Sequence, residues 1–228
     1  IERFAADVAH EIKNPLSSLR SAVETVARIE DPQQQKKLMS IILDDVQRLD
    51  RLISDISDAS RVDAEMSRAE VSRVKIREIV TALTDIYAFT GGDSTPHVVS
   101  DLPPNDDLAV MGAEGRLGQV FRNLLSNALS FSPRGGTITL RARRRGDRIV
   151  VMVDDEGPGI PDEKLKAIFD RFYSERPQAE KVGTHSGLGL SISQQIVEAH
   201  NCTLTAANRR DASGAVIGAR FSIDLPAA

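Results

Sequence analysis

Cysteine is almost missing: Cys202 stands alone among 228 residues. A single thiol builds neither a disulfide framework nor a cysteine-based zinc site, and its scarcity fits a reducing compartment. No run approaches the roughly 18 apolar residues of a membrane span, and no signal peptide is visible, so this stretch of chain has no membrane segment of its own. The net charge of −4 gives no electrostatic footing for nucleic acid. Glycine is absent from residues 1–66. No internal repeat or low-complexity tract stands out. What remains is 41% hydrophobic and 27% charged, the balance of an ordinary globular chain. The length suits one large domain or two modest ones. The chain opens on Ile1, already inside a helical pattern, and is read as a piece of a longer protein with an anchor or sensor upstream.

The glycine-free segment is helical in pattern. In the first helix, from near residue 1 to about 29, Phe4, Val8, Ile12, Leu16, Leu19 and Val23 recur at helical spacing. His10 lies off that stripe, with Glu11 flanking it, and Pro15 falls inside the helix. A polar break, "EDPQQQ", offers Asp31 as N-cap and Pro32 as first helical residue. The second helix carries Leu38, Ile41, Ile42, Leu49, Leu52, Ile53 and Ile56, with threes and fours alternating as in a heptad. Two such helices form a hairpin. A lone hairpin leaves apolar surface wet, and pairing two hairpins as a four-helix bundle removes it, so a homodimer is expected.

Beyond residue 66 lie all 15 glycines and most prolines. Helical patterns at 76–87, 115–131 and 194–200 alternate with the strand-like runs "HVVSDL", "LAVMG", "GTITLRARR", "RIVVMVDD", "CTLTAANR" and "GARFSIDL". This is the texture of an α+β domain, and the expected division is 1–66 and 67–228.

Four stretches of the second domain carry candidate chemistry. Asn123 and Asn127, in "RNLLSNALSFSP", share a helix face, and an amide oxygen there suits a hard cation such as Mg²⁺. In "VDDEGPGIP" the carboxylates Asp154 and Asp155 end a strand and are followed by Gly157 and Gly159, which let backbone approach a ligand. In "GTHSGLGLSIS", residues Thr184, His185, Ser186, Gly187, Leu188 and Gly189 form a glycine-rich lead into a helix, a setting for phosphate. Between the last two, Phe169 and Phe172 anchor a polar segment that reads as a lid. Each alone also fits an ordinary cap, turn or loop.

Together and in this order, the four stretches resemble the N, G1, F and G2 boxes of the ATP-binding domain of sensor histidine kinases, within the wider group of gyrase-type and Hsp90-type ATPases. The opening "HEIKNPL" resembles the H box of the same kinases, so the resemblance spans the chain; a finer one is to ChvG-like sensor kinases of alphaproteobacteria. It implies a helical hairpin forming a dimeric four-helix bundle, followed by an α/β sandwich that binds ATP with Mg²⁺. By the same resemblance His10 is the phosphoacceptor, Glu11 the adjacent general base, and Asn14 the residue that orients water to dephosphorylate the partner. Pro15 stands where such helices bend. Asn127 is the Mg²⁺ ligand and Asn123 its neighbouring amide. Asp155 reads the adenine amino group, with Gly157 and Gly159 shaping its loop. Phe172 and residues 184–189 complete the nucleotide site. A response regulator is the implied partner, and the cytoplasmic part of a bacterial inner-membrane protein the implied setting.

One position departs from the pattern. Many members carry a basic residue three positions after the second asparagine; here Ser130 stands there, followed by Phe131. Arg122, Arg134, Arg176 and Lys181 all remain open as substitutes. His97 and His200 lack the H-box context and read as structural, while His185 lies in the lid within reach of phosphate. The run "RARRR" alternates along a strand and reads as a solvated face. Two rival readings remain: another ATPase of the same fold, which has no use for "HEIKNPL", and a non-enzymatic dimeric scaffold with a weakened ATP site.

Overall fold

The computed structural model describes residues 2–66, 70–90, 95–173 and 186–228. The chain divides into two compact units, Ile1–Arg61 with Asp170–Gly189, and Val62–Phe169 with Leu190–Ala228.

The first unit is built on a hairpin of helices α1 (Glu2–Val26) and α2 (Pro32–Met66). α1 continues through Pro15, which is buried, and Ala22 and Leu52 are buried with it. α1 stops at Val26, short of the expected end near residue 29. There the backbone tightens from an i−4 bond (Ala27 N–H to Val23 O, 3.2 Å) to i−3 bonds (Arg28 to Thr25, 3.0 Å; Ile29 to Val26, 3.4 Å), the narrower winding common at helix ends. Asp31 caps α2 as expected, its Oδ1 accepting the Gln33 N–H at 2.9 Å. The apolar stripe of α1 is wider than one hairpin covers: Ile12 and Leu19 are half-buried, whereas Leu16 and Val23 are exposed. On α2, Met39, Leu43, Val46 and Ile53 are likewise exposed.

The second unit is a two-layer α/β sandwich. Its main sheet contains β2 (His97–Asp101), β4 (Thr137–Arg145), β5 (Arg148–Asp154), β6 (Thr203–Arg210) and β7 (Val216–Pro226) in the order β2-β4-β5-β7-β6. β2 runs parallel to β4, and the other pairs are antiparallel. Register places apolar residues in rows across the sheet. Leu140, Val153, Phe221 and Ala206 form one row, and Ala142, Val151, Ile223 and Leu204 the next. Against that face lie α3 (Ile76–Thr90), α4 (Glu114–Phe131) and α5 (Gly189–Ala199), with Ile76, Val80, Leu117, Phe121, Leu124, Ile192 and Ile196 buried.

In this unit one strand and two helix ends differ from the expectations. A short strand, β1 (Ser72–Lys75), pairs with β3 (Ala109–Gly112); only one of its four residues, Val74, is buried, which leaves too little alternation to read. α5 begins at Gly189 rather than at 194, because its first turn is the glycine- and serine-rich stretch that looks like loop. α3 extends to Thr90.

Candidate functional site

In the first unit His10 is exposed on α1, Glu11 beside it is half-buried, and Asn14, one turn on, is exposed. Arg48 of α2 donates from Nη2 to Glu11 Oε2 at 3.1 Å.

In the second unit α4 carries the asparagine pair. Its stripe of Leu117, Val120, Phe121, Leu124, Leu125 and Ala128 is buried, which leaves Asn123 and Asn127 half-buried beside it. Asn123 Nδ2 donates to Ser193 Oγ at 3.2 Å, tying α4 to the buried serine of α5. His200 proves structural, as expected: its Nε2 accepts the Ala113 N–H at 3.1 Å at the start of α4, while Nδ1 lies 2.7 Å from Ile196 O. That pairing requires the proton on Nδ1.

Adjacent carboxylates at the end of β5 have opposite surroundings. Asp154 is gripped by Arg220 through Nε at 2.6 Å and Nη2 at 2.7 Å, with Arg141 Nε at 3.2 Å. Asp155 is also buried, but its Oδ1 accepts backbone N–H groups from Gly157 and Ala219, both at 2.9 Å. Burial pushes the Asp155 carboxyl up, and the two N–H bonds pull it part of the way back. Only Oδ1 takes part in those bonds, so Oδ2 keeps accepting capacity for a donor such as an exocyclic amine.

The glycines explain how backbone comes so close to Asp155. A Cβ on Gly157 would lie 2.8 Å from the Phe131 carbonyl oxygen at the end of α4, so the asparagine helix and this loop meet there. Gly218, with φ +146°, lies under the Asp155 carbonyl, where a Cβ would come within 1.9 Å of the oxygen. Gly218 belongs to no motif named from sequence. Nor do Asn208, whose amide accepts the Ile160 N–H at 2.8 Å and donates to Ile160 O at 2.6 Å, or Arg209, which donates to Asp155 O at 2.5 Å. These three lie about fifty residues or more along the chain from the loop they hold, so no local pattern betrays them.

Phe172 and Gly187 meet in the first unit. The Phe172 N–H donates to Gly187 O at 2.9 Å, and a Cβ on Gly187 would lie 3.0 Å from Phe172 backbone. Phe172 itself takes φ +61°. Ser186 Oγ accepts the Leu188 N–H at 3.1 Å and donates to Asp55 Oδ2. Leu188 is fully buried and leads through Gly189 into α5. Thr184 and His185 lie outside the described residues, as do Arg176 and Lys181. The basic run on β4 is not merely a solvated face: Arg141 lies 3.3 Å and Arg143 2.6 Å from Asp101.

The donor set fits the groups expected from sequence. Mg²⁺ takes oxygen ligands and keeps several waters beside substrate phosphates, and Asn127 on α4 carries a side-chain amide oxygen of that kind. Among the described residues no cluster of three or more His, Cys, Asp or Glu could hold a metal without such help. At Gly157 and Gly218 backbone packs directly against the end of α4 and against Asp155, and an added Cβ would collide with it.

A family model described as "Histidine kinase-, DNA gyrase B-, and HSP90-like ATPase" matches residues 112–228, and the "His Kinase A (phospho-acceptor) domain" matches residues 1–65. The chain is 48% identical to the sensor protein ChvG of Rhizobium meliloti, and 48% identical to that of Agrobacterium fabrum. Both matches cover 100% of this chain but only 40% and 39% of those proteins, so the chain spans about two fifths of their length. Among solved structures, mycobacterial sensor histidine kinase MprB is 26% identical over 69% of this chain and 97% of its own, with a TM-score of 0.58. Histidine kinase ThkA in complex with response regulator protein TrrA gives a TM-score of 0.77 over 99% of this chain and 61% of that one. At 24% identity that likeness shows the fold.

Proposed function

The chain belongs to the sensor histidine kinases, and from that premise we propose that it is the catalytic core of a two-component sensor, taking the γ-phosphoryl group of ATP onto His10 and passing it to an aspartate of a response regulator. The observation that carries the reading is the Asp155 carboxylate: buried and bonded through Oδ1 to two backbone N–H groups, which leaves Oδ2 to accept from a ligand. ATP supplies the phosphoryl group. The residues supply position and charge: Asp155 accepts from the adenine amine, Asn127 offers an oxygen to Mg²⁺, and the glycine-rich stretch containing Gly187 and Gly189 corresponds to the phosphate-side loop of the family motif. Phosphoryl transfer asks for little more, since its loose transition state is stabilised mainly by placement and electrostatics. One imidazole nitrogen of His10 bonds to phosphorus as the bond to the ADP oxygen breaks, and the other nitrogen gives its proton to Glu11.

The functional division runs at residues 66 and 67, the hairpin acting as a homodimer and phosphotransfer unit and the sandwich as the ATP-binding unit. No helix among the described residues is long and apolar enough to cross a membrane. The relatives are named as sensor proteins and are more than twice as long, which supports a cytoplasmic role for this portion of a membrane sensor.

A further activity belongs to Asn14, which lies one helical turn from His10 and is exposed with it. An amide there can orient water toward a regulator's acyl phosphate but adds nothing to the histidine as nucleophile. The test is a paired assay on one preparation: labelling from γ-labelled ATP, and loss of label from a purified phosphorylated regulator. Asn14→Ala is expected to label as the parent does and to dephosphorylate at least several-fold more slowly. Alanine favours helix, so unfolding is not a confounder. Equal loss of both activities assigns Asn14 to structure instead, and a parent that fails to label contradicts the kinase reading.

A further inference from the structure

We infer that Arg48 is a positioning residue for phosphorylation of His10: from α2 it fixes the carboxylate of Glu11 beside the histidine. The inference rests on the reading of His10 as phosphoacceptor and Glu11 as its base. Arg48 Nη2 bonds Glu11 Oε2 at 3.1 Å, linking residues 37 apart across the hairpin. The side chains keep only 20% and 27% of their exposure. Arg20–Glu24, by contrast, is an exposed pair within α1, at 82% and 57%.

The surroundings of the pair argue against a merely structural role. Arg48 Nε and, three residues earlier on α2, Asp45 Oδ2 are buried and make no hydrogen bond among the described residues. A shielded ion pair that leaves a buried donor unsatisfied stabilises a hairpin poorly, and well-packed apolar side chains do as well or better. Its chemical consequence is specific. A free glutamate samples many rotamers, whereas a base must meet the imidazole proton in one geometry. Arg48 engages Oε2 alone, so Oε1 keeps its accepting capacity for the proton that leaves His10. Along the chain and across the hairpin, His10 is exposed, Glu11 is half-buried and Arg48 is shielded on α2.

The experiment measures single-turnover autophosphorylation with Mg²⁺–ATP for the parent chain, Arg48→Ala, Arg48→Lys, Glu11→Gln and the Arg48→Ala/Glu11→Gln double variant. Arg48→Ala is expected to lower the maximal rate roughly tenfold to a hundredfold, as misplacement of a reacting group does. The KM for ATP stays unchanged, and Arg48→Lys restores part of the rate. In the Glu11→Gln background Arg48→Ala adds no further loss, because the group it positions is already gone. Additive losses, or a raised KM, overturn the inference. Should Arg48→Ala fail to fold, Arg48→Lys in the two Glu11 backgrounds gives the same cycle. If Glu11→Gln labels as fast as the parent, the inference falls while His10 stands as phosphoacceptor. If the parent does not label on His10 at all, the functional reading itself falls.

Discussion

Asp154 and Asp155 are neighbours with the same side chain, and their surroundings give them different work. Asp154 ends β5 among arginines, with Arg220 bidentate, and serves the sheet. Asp155 has backbone donors on one oxygen and a raised carboxyl, the signature of a group held for something other than stability. The sign follows from the direction of that shift. A carboxyl raised on folding contributes stability below its unfolded pKa, and loses that contribution as pH rises through its folded value. Past that value the carboxylate is less favourable to the fold than the neutral acid was. Asp155→Asn keeps an oxygen for both backbone donors and removes the charge, so thermal unfolding at pH 7 is expected to show equal or greater stability. The same variant is expected to lose about tenfold or more in ATP affinity by calorimetry, since a hydrogen bond to a charged group is worth roughly 1.5–3 kcal/mol. A variant that binds ATP like the parent places the adenine elsewhere. At this scale the motif residues were legible because each box is contiguous in sequence. Gly218, Asn208, Arg209 and Arg48 were not, because each acts on a residue 37 or more positions away.

The elements follow local rules where those rules are strong. Asp31 caps α2 one residue before Pro32, and both the cap and the start were readable as a polar break. Asp31→Ala is expected to lower stability by about 1 kcal/mol, read as a drop in the unfolding temperature of the hairpin, with nucleotide affinity unchanged. No change in unfolding would mean that the cap adds nothing beyond the other contacts of the turn, such as Gln35 Nε2 to Ile29 O at 2.6 Å. α5 was read five residues short because Gly189 and the serines of its first turn are weak helix formers. Ser193 is buried there and accepts from Asn123, so tertiary contact rather than propensity accounts for that turn. β1 escaped notice for the opposite reason: four residues with one buried side chain carry no period.

On the scale of the whole molecule, what the chain leaves uncovered is as informative as what it buries. Leu16, Val23, Leu43, Val46 and Ile53 are exposed on the hairpin, several at half their surface or more, which supports a second hairpin as their cover. Leu43→Glu sets a charge in that face and is expected to convert a dimer to a monomer by light scattering, while the sandwich still binds nucleotide. A variant that stays dimeric locates the interface elsewhere. The fold class was legible from the change in texture beyond residue 66, the side on which all 15 glycines lie. The width of the α1 stripe was legible too, though not which part of it one hairpin covers. The most direct test of the kinase reading is the chemistry of the label. The purified chain is incubated with γ-labelled ATP and Mg²⁺, then divided between acid and base. Label lost in acid, kept in base, and absent from His10→Gln is the expected result. Label that survives acid, or that persists in His10→Gln, contradicts it.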